Sequence, residues 1–265
     1  MEKQIEFKGV KVAYSDRGEG PCVVLLHGYL ESHEIWDGFS QLIYQKYRVI
    51  IPDLPGHGKS GTWGELHSMD DLAGAVKAVM DAEGLGKVFL IGHSMGGYAV
   101  MAFAELFPES LLAYSLFHST CFADNQEKKA NRDREISLVL CGKKRQIVLV
   151  NIPKAFSSDN VDLLPEEVER ARQIALNNSD KGIIALLQGM KARPDRSEVL
   201  QNLKLPLLLV GGMKDNYIPV QVFDRLVALA PHARVLRLEE SGHMGFIEEP
   251  EKVTRALDEM MSKLK

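Results

Sequence analysis

The five residues Gly92-His93-Ser94-Met95-Gly96 constrain this chain more than any other segment. Ahead of them runs Val88-Phe89-Leu90-Ile91, apolar throughout; behind them Met95 to Phe107 is apolar nearly all round, until Pro108 closes it. A continuous apolar run suits a strand buried on both faces, and a helix apolar on every side must lie against other structure. Glycine at 92 and 96 lets strand pass into helix through a turn too tight for side chains there. Strand, sharp turn and buried helix in that order predict a parallel sheet with crossover helices.

The rest of the chain repeats the alternation. Cys22-Val23-Val24-Leu25-Leu26, Tyr47 to Ile51 and Leu205 to Val210 read as further buried strands, with Leu112 to Phe117 and Ala233 to Leu238 beside them. Residues 5–14 alternate apolar and polar around Gly9, as an antiparallel hairpin at a sheet edge would. Ser68 caps a helical pattern carrying Leu72, Val76 and Val79, and the helices predicted from Pro219 and Pro250 start with proline in the first turn. Between 122 and 195 the alternation stops: four helical stretches (124–141, 143–156, 165–177 and 180–192) occur without a strand. The expected architecture is an α/β fold with a mostly parallel eight-stranded sheet flanked by helices and a helical cap inserted after the sixth strand. Its core is expected in two parts, 1–121 and 196–265, with the cap at 122–195.

Composition bounds the function. With 265 residues, 45% of them hydrophobic, the chain can bury a large core without disulfides or metals. Its formal charge is −4 and its Lys and Arg are dispersed, so no basic stripe points to nucleic acid. Three cysteines without C-x-x-C spacing suit reduced thiols in the cytoplasm. Met1 to Glu6 lacks the apolar stretch of a signal peptide, and no apolar run nears the ~20 residues a bilayer requires. The mixed-charge stretch Asn125 to Glu135 reads as a solvated helix face.

Ser94 is the candidate nucleophile. A serine hydroxyl is weak at neutral pH and needs a general base close by. Among the 8 histidines the best placed is His243, just past the last predicted strand on a loop flanked by Gly242 and Gly245. His33, His67 and His232 sit near element starts, His93 is the variable position of the turn, and His57 suits structural hydrogen bonding. His118 ends a strand and is a weaker candidate for the pocket wall. The base needs a carboxylate to hold its tautomer, and Asp215 follows the strand Leu205–Val210 on a loop at the same sheet edge. Asp124 is a distant second. Ser94, then Asp215, then His243 is the order expected of a nucleophile elbow with its partners.

The chain resembles the α/β-hydrolase superfamily from end to end, in the group of capped serine hydrolases. The resemblance rests on His27-Gly28-Tyr29, Asp53-Leu54-Pro55-Gly56-His57-Gly58-Lys59-Ser60, the turn Gly92–Gly96, Gly212-Met213-Lys214-Asp215 through Pro219, and Ser241-Gly242-His243 with Glu249-Pro250. It implies an oxyanion hole formed by the backbone N–H groups of Tyr29 and Met95. Serine at 94 argues against the dehalogenases and epoxide hydrolases of this fold, which use aspartate there.

The expected activity is hydrolysis of a carboxylic ester or lactone of a small acid, as in carboxylesterases and enol-lactone hydrolases, through an acyl-enzyme. No cofactor or metal is expected: there is no His-Glu-x-x-His stretch, no His/Cys cluster at ligand spacing and no phosphate-binding loop. The expected partner is the small-molecule substrate, with neither nucleic acid nor membrane; oligomeric state has no sequence signal. Carbon–carbon bond hydrolysis or a lyase step on an acidic metabolite is the alternative, with Arg132, Arg134, Arg145 or Lys191 as a carboxylate clamp, although surface charge is the plainer reading of each. A ligand receptor that keeps the same three residues is the alternative from another class. Phe156, Leu186, Leu187 and Met190 are set either to line a pocket or to pack the cap on itself.

Overall fold

The computed structural model describes residues 1–264. Eight strands form one sheet: β1 (Glu2–Phe7), β2 (Val10–Arg17), β3 (Cys22–Leu26), β4 (Arg48–Pro52), β5 (Val88–His93), β6 (Leu111–Phe117), β7 (Leu207–Gly212) and β8 (Arg234–Leu238). Their order is β1-β2-β4-β3-β5-β6-β7-β8. β2 pairs antiparallel with β1 and β4, which confirms the edge hairpin, and every pairing from β4 to β8 is parallel.

The strand order reverses between β3 and β5. A sheet opens a crevice at the carboxyl ends of its strands where connections diverge to either side. Tyr29 follows β3 and Ser94 follows β5, so both leave the sheet at that crevice. β5 is buried along its whole length, which gives the turn after it a rigid base.

Helices α1 (Asp37–Ile43), α2 (Met69–Ala82) and α3 (Met95–Leu106) precede β6. α2 opens with a capping box, Ser68 Oγ accepting from the Asp71 amide while the Asp71 carboxylate accepts from the Ser68 amide. α3 is buried from Met95 to Ala104, as its unbroken apolar sequence requires. Between β6 and β7 lie α4 (Gln126–Leu140), α5 (Lys144–Ala155), α6 (Ser158–Val161), α7 (Pro165–Asn177), α8 (Asp180–Ala192) and α9 (Ser197–Asn202). The first five form the helical cap, with α4 packed on α8 and α5 on α7; α9 returns to the core against α3 and α10. The chain ends with α10 (Val220–Leu229), α11 (Gly245–Glu248) and α12 (Pro250–Ser262).

Three expectations need correction. β7 starts at Leu207, after Pro206, whose ring has no N–H for the ladder, and it continues to Gly212. The cap holds a fifth helix, the single turn α6, too short to leave a periodic signal. The stretch Asn125 to Glu135 is not simply a solvated face, because α4 turns Arg132 and Glu135 inward. Among the described residues no helix is long and apolar enough to cross a membrane.

Candidate active site

Ser94 adopts φ 50° and ψ −114°, a conformation that L-residues seldom hold without support. Support comes from three hydrogen bonds: its amide donates to Phe117 O at 2.9 Å, and its carbonyl accepts from the Gly97 amide at 3.0 Å and from Ser119 Oγ at 2.7 Å. The glycines are obligatory for closeness of approach. A Cβ on Gly92 would lie 2.4 Å from Gly96 C, and one on Gly96 would lie 2.6 Å from Leu26 O. Leu30 (φ 63°), on the loop after β3, and His118 (φ 47°), just past β6, also have positive φ.

Asp215 and His243 are in contact beyond the ends of β7 and β8. His243 Nδ1 lies 2.7 Å from Asp215 Oδ2, while Asp215 Oδ1 accepts from the amides of Tyr217 (2.7 Å) and Ile218 (2.9 Å). Burial alone would raise the pKa of this carboxyl, but the charge of His243 and the bonds from His118 and His243 hold it far below the usual range. An ionised carboxylate only accepts, so the Nδ1–H is the donor in this bond, and in the neutral ring Nε2 is the acceptor. The loop is also fastened to the cap, since the His243 amide donates to Ala155 O at 2.6 Å. Gly242 permits that contact; a Cβ there would lie 2.5 Å from Ser157 N.

Two further histidines surround this pair. His118, a weaker candidate for the pocket wall, is not among the cavity-lining residues; it is fully buried against Asp215, with Nδ1 3.3 Å from Oδ2 and 3.2 Å from the Gly212 amide nitrogen. That nitrogen can donate to the first or accept from the second, one at a time. Burial pushes the pKa of His118 down to about 4, so the ring is neutral. His93, read as merely the variable position of the turn, is a bridge. Its Nδ1 lies 3.0 Å from Glu31 Oε2 and its Nε2 2.9 Å from His243 O. Both neighbours are acceptors, so the geometry calls for the doubly protonated ring. Burial opposes that charge, yet the Glu31 carboxylate outweighs it and the pKa rises.

Ser94 and His243 open into a cavity of about 700 Å³ between sheet and cap. Met190 and Phe156 line it, whereas Leu186 and Leu187 are buried away from it. Gly28 and Leu30 direct their amides to the Glu31 carboxylate and to His57 Nε2. The Tyr29 amide between them, and that of Met95, find no protein acceptor among the described residues. His57 has the structural role expected: Nδ1–H donates to Gly56 O at 2.8 Å, and burial lowers its pKa to about 3.

Arg132 faces the cavity and is paired with Asp124, which Arg193 also contacts at 2.8 Å. Asp124 is thereby committed to two guanidinium groups and does not serve His243. Arg134 lies at the exposed rim, Arg145 is exposed away from the cavity, and Lys191 pairs with Asp133. Glu135, which the sequence did not single out, lines the cavity and accepts from Tyr29 O–H at 3.0 Å. His118, Asp215 and His243 bring their ligand atoms within 4.8 Å of one another, near enough to share a cation. At 2.7 Å, the Nδ1–Oδ2 contact between His243 and Asp215 is itself a hydrogen bond.

A family model described as alpha/beta hydrolase fold matches residues 21–250. The chain belongs to the α/β-hydrolase fold family. This hydrolase is 30% identical over 264 residues to a 2-hydroxy-6-oxononadienedioate/2-hydroxy-6-oxononatrienedioate hydrolase of Burkholderia vietnamiensis, covering 95% of this chain and 91% of that one. It is 27% identical to a pimeloyl-[acyl-carrier protein] methyl ester esterase of Aeromonas hydrophila, over 91% of this chain and 95% of the relative. A malate-bound thermophilic esterase from Thermogutta terrifontis superposes with a TM-score of 0.94 at 29% identity, covering 100% of this chain and 99% of that one.

Proposed function

We propose that this hydrolase cleaves a carboxylic ester or lactone of a small acid through an acyl-enzyme on Ser94. The observation that carries the reading is the Asp215–His243 hydrogen bond of 2.7 Å beside a serine held at φ 50° in the same cavity. In the mechanism, His243 Nε2 takes the Ser94 proton as Oγ attacks the carbonyl carbon. The amides of Tyr29 and Met95 hold the oxyanion of the tetrahedral intermediate; they are fixed by the backbone, so they need no reorganisation. His243 returns the proton to the departing alcohol, then takes one from the water that attacks the acyl-enzyme. Asp215 stays ionised throughout. The esterases among the relatives support this reading.

A specific observation favours a second reading, hydrolysis of a carbon–carbon bond in an acidic substrate. Lys128, Arg132 and Arg134 reach the cavity from α4, where they suit a carboxylate, and the Burkholderia relative is named for a dienedioate substrate. Steady-state turnover of p-nitrophenyl esters against a 2-hydroxy-6-oxo-dienedioate separates the two. The ester reading expects repeated turnover of short acyl esters, abolished by Ser94→Ala. Faster turnover of the dienedioate than of every ester would move the assignment to the second reading. A single turnover that leaves the protein covalently modified would point instead to a receptor.

A further inference from the structure

A chain of hydrogen bonds runs around the cavity and through the cap. Tyr29, on the loop after β3, donates its O–H to Glu135 Oε1 on α4 at 3.0 Å, across 106 residues of sequence. Asn151 on α5 donates its side-chain N–H to the same oxygen at 3.3 Å. The carbonyl of Asn151 accepts from Tyr217 O–H at 2.8 Å, and the Tyr217 amide donates to Asp215. All four side chains line the cavity. Burial and the neighbouring Glu135 keep the Tyr29 phenol protonated, which makes it the donor.

Tyr29 therefore works at both ends. Its amide finds no acceptor among the described residues, while its ring is tied to the cap. Backbone amides serve an oxyanion only when held within a few tenths of an ångström of the productive position. Tyr29 lies between Gly28 and the left-handed Leu30, in a loop whose remaining bonds go to side chains rather than to a strand. The phenol–carboxylate bond is what fixes this residue from outside the core.

We propose that Glu135 is a positioning residue: it sets the Tyr29 amide and, through Asn151 and Tyr217, joins the cap to the loop that carries Asp215. Substrate seated under the cap then meets an oxyanion site and an acid loop braced by the same carboxyl. This rests on the assignment of the Tyr29 amide as an oxyanion donor.

The test is a double-mutant cycle on Tyr29→Phe, Glu135→Ala and their combination, with Glu135→Gln as the conservative variant. Two quantities are read: kcat and KM for p-nitrophenyl acetate, and Ki for a trifluoromethyl ketone, which forms a tetrahedral adduct on the serine. Tyr29→Phe and Glu135→Ala should each lower kcat and weaken the ketone about tenfold, with KM moved by less than about twofold. The double variant should be no worse than Glu135→Ala, because that variant already removes the bond from Tyr29 together with the one from Asn151. Glu135→Gln, whose amide oxygen still accepts, should restore most of the loss seen in Glu135→Ala. Losses that multiply, or a Glu135→Gln as impaired as Glu135→Ala, would overturn the proposal. If Glu135→Ala does not fold, Tyr29→Phe decides alone, and an unchanged ketone Ki there overturns it. Wild-type protein that neither turns over the ester nor binds the ketone would refute the serine-hydrolase reading instead, a separate result.

Discussion

His93 Nε2 lies 2.9 Å from the main-chain carbonyl of His243, so the residue before the proposed nucleophile is fastened to its proposed base. The other ring nitrogen reaches Glu31, whose carboxylate also accepts from the Gly28 amide next to Tyr29. One buried ring thus links the Ser94 turn, the His243 loop and the Gly28–Tyr29 loop.

Removing one partner of this pair strands the other's charge in the core. His93→Ala is expected to cost about 3–5 kcal/mol, and Glu31→Gln combined with His93→Ala less than His93→Ala alone. The pKa of His93 is raised, so its contribution is complete below the ordinary 6.5 and fades as pH rises through the raised value. Glu31 is lowered by His93 despite burial, so its contribution is present above 4.5 and lost as pH falls through the lowered value. Urea denaturation near pH 6 measures the pair where both contributions hold. Equal costs for the single and double variants would contradict the pairing.

Asp215→Asn should reduce kcat by roughly 10⁴ while leaving KM nearly unchanged, because an amide can donate to Nδ1 and stabilise the wrong tautomer. Steady-state kinetics with p-nitrophenyl acetate, alongside a circular dichroism spectrum to verify folding, provides the measurement. A loss below tenfold would mean that Asp215 does not orient the base.

Acid should weaken the fold before most carboxylates titrate. His57 and His118 are buried neutral, with pKa values pushed down to about 3 and about 4, whereas an unfolded histidine titrates near 6.5. Between roughly pH 6.5 and 4 the unfolded chain binds protons that these folded rings refuse, so stability falls as pH falls. The slope is about 1.4 kcal/mol per pH unit for each ring once the unfolded histidine is fully protonated. Urea midpoints from pH 7 to pH 4.5 should show the decline, and His57→Gln should flatten it. A flat profile would contradict the neutral burial of these rings.

What the sequence disclosed follows from where the signals lie. Ser94 and Asp215 each follow a strand buried along its whole length, and His243 follows the sheet's last strand, so local pattern placed all three at one sheet edge. The sheet itself was legible for the same reason. Glu31, His93 and Glu135 carry no such local mark. Glu31 and His93 are partners across 62 residues, Tyr29 and Glu135 across 106, and only tertiary packing selects them. Arg132 could not be told apart from Arg134 and the other charged residues because the first half of α4 mixes both charges, and apolar residues mark its inward face only from Ile136 on. The pairing of Asp124 with Arg193, beyond α8, likewise had no precursor in spacing.

A covalent acyl-enzyme on Ser94 predicts that a fluorophosphonate labels that residue and no other. Folded protein is treated with a fluorophosphonate, and the adduct is located by intact mass and peptide mapping. One adduct per chain, on Ser94 and absent from Ser94→Ala, is the expected result. An unlabelled folded protein, or an adduct that persists elsewhere when Ser94 is replaced, would contradict the account.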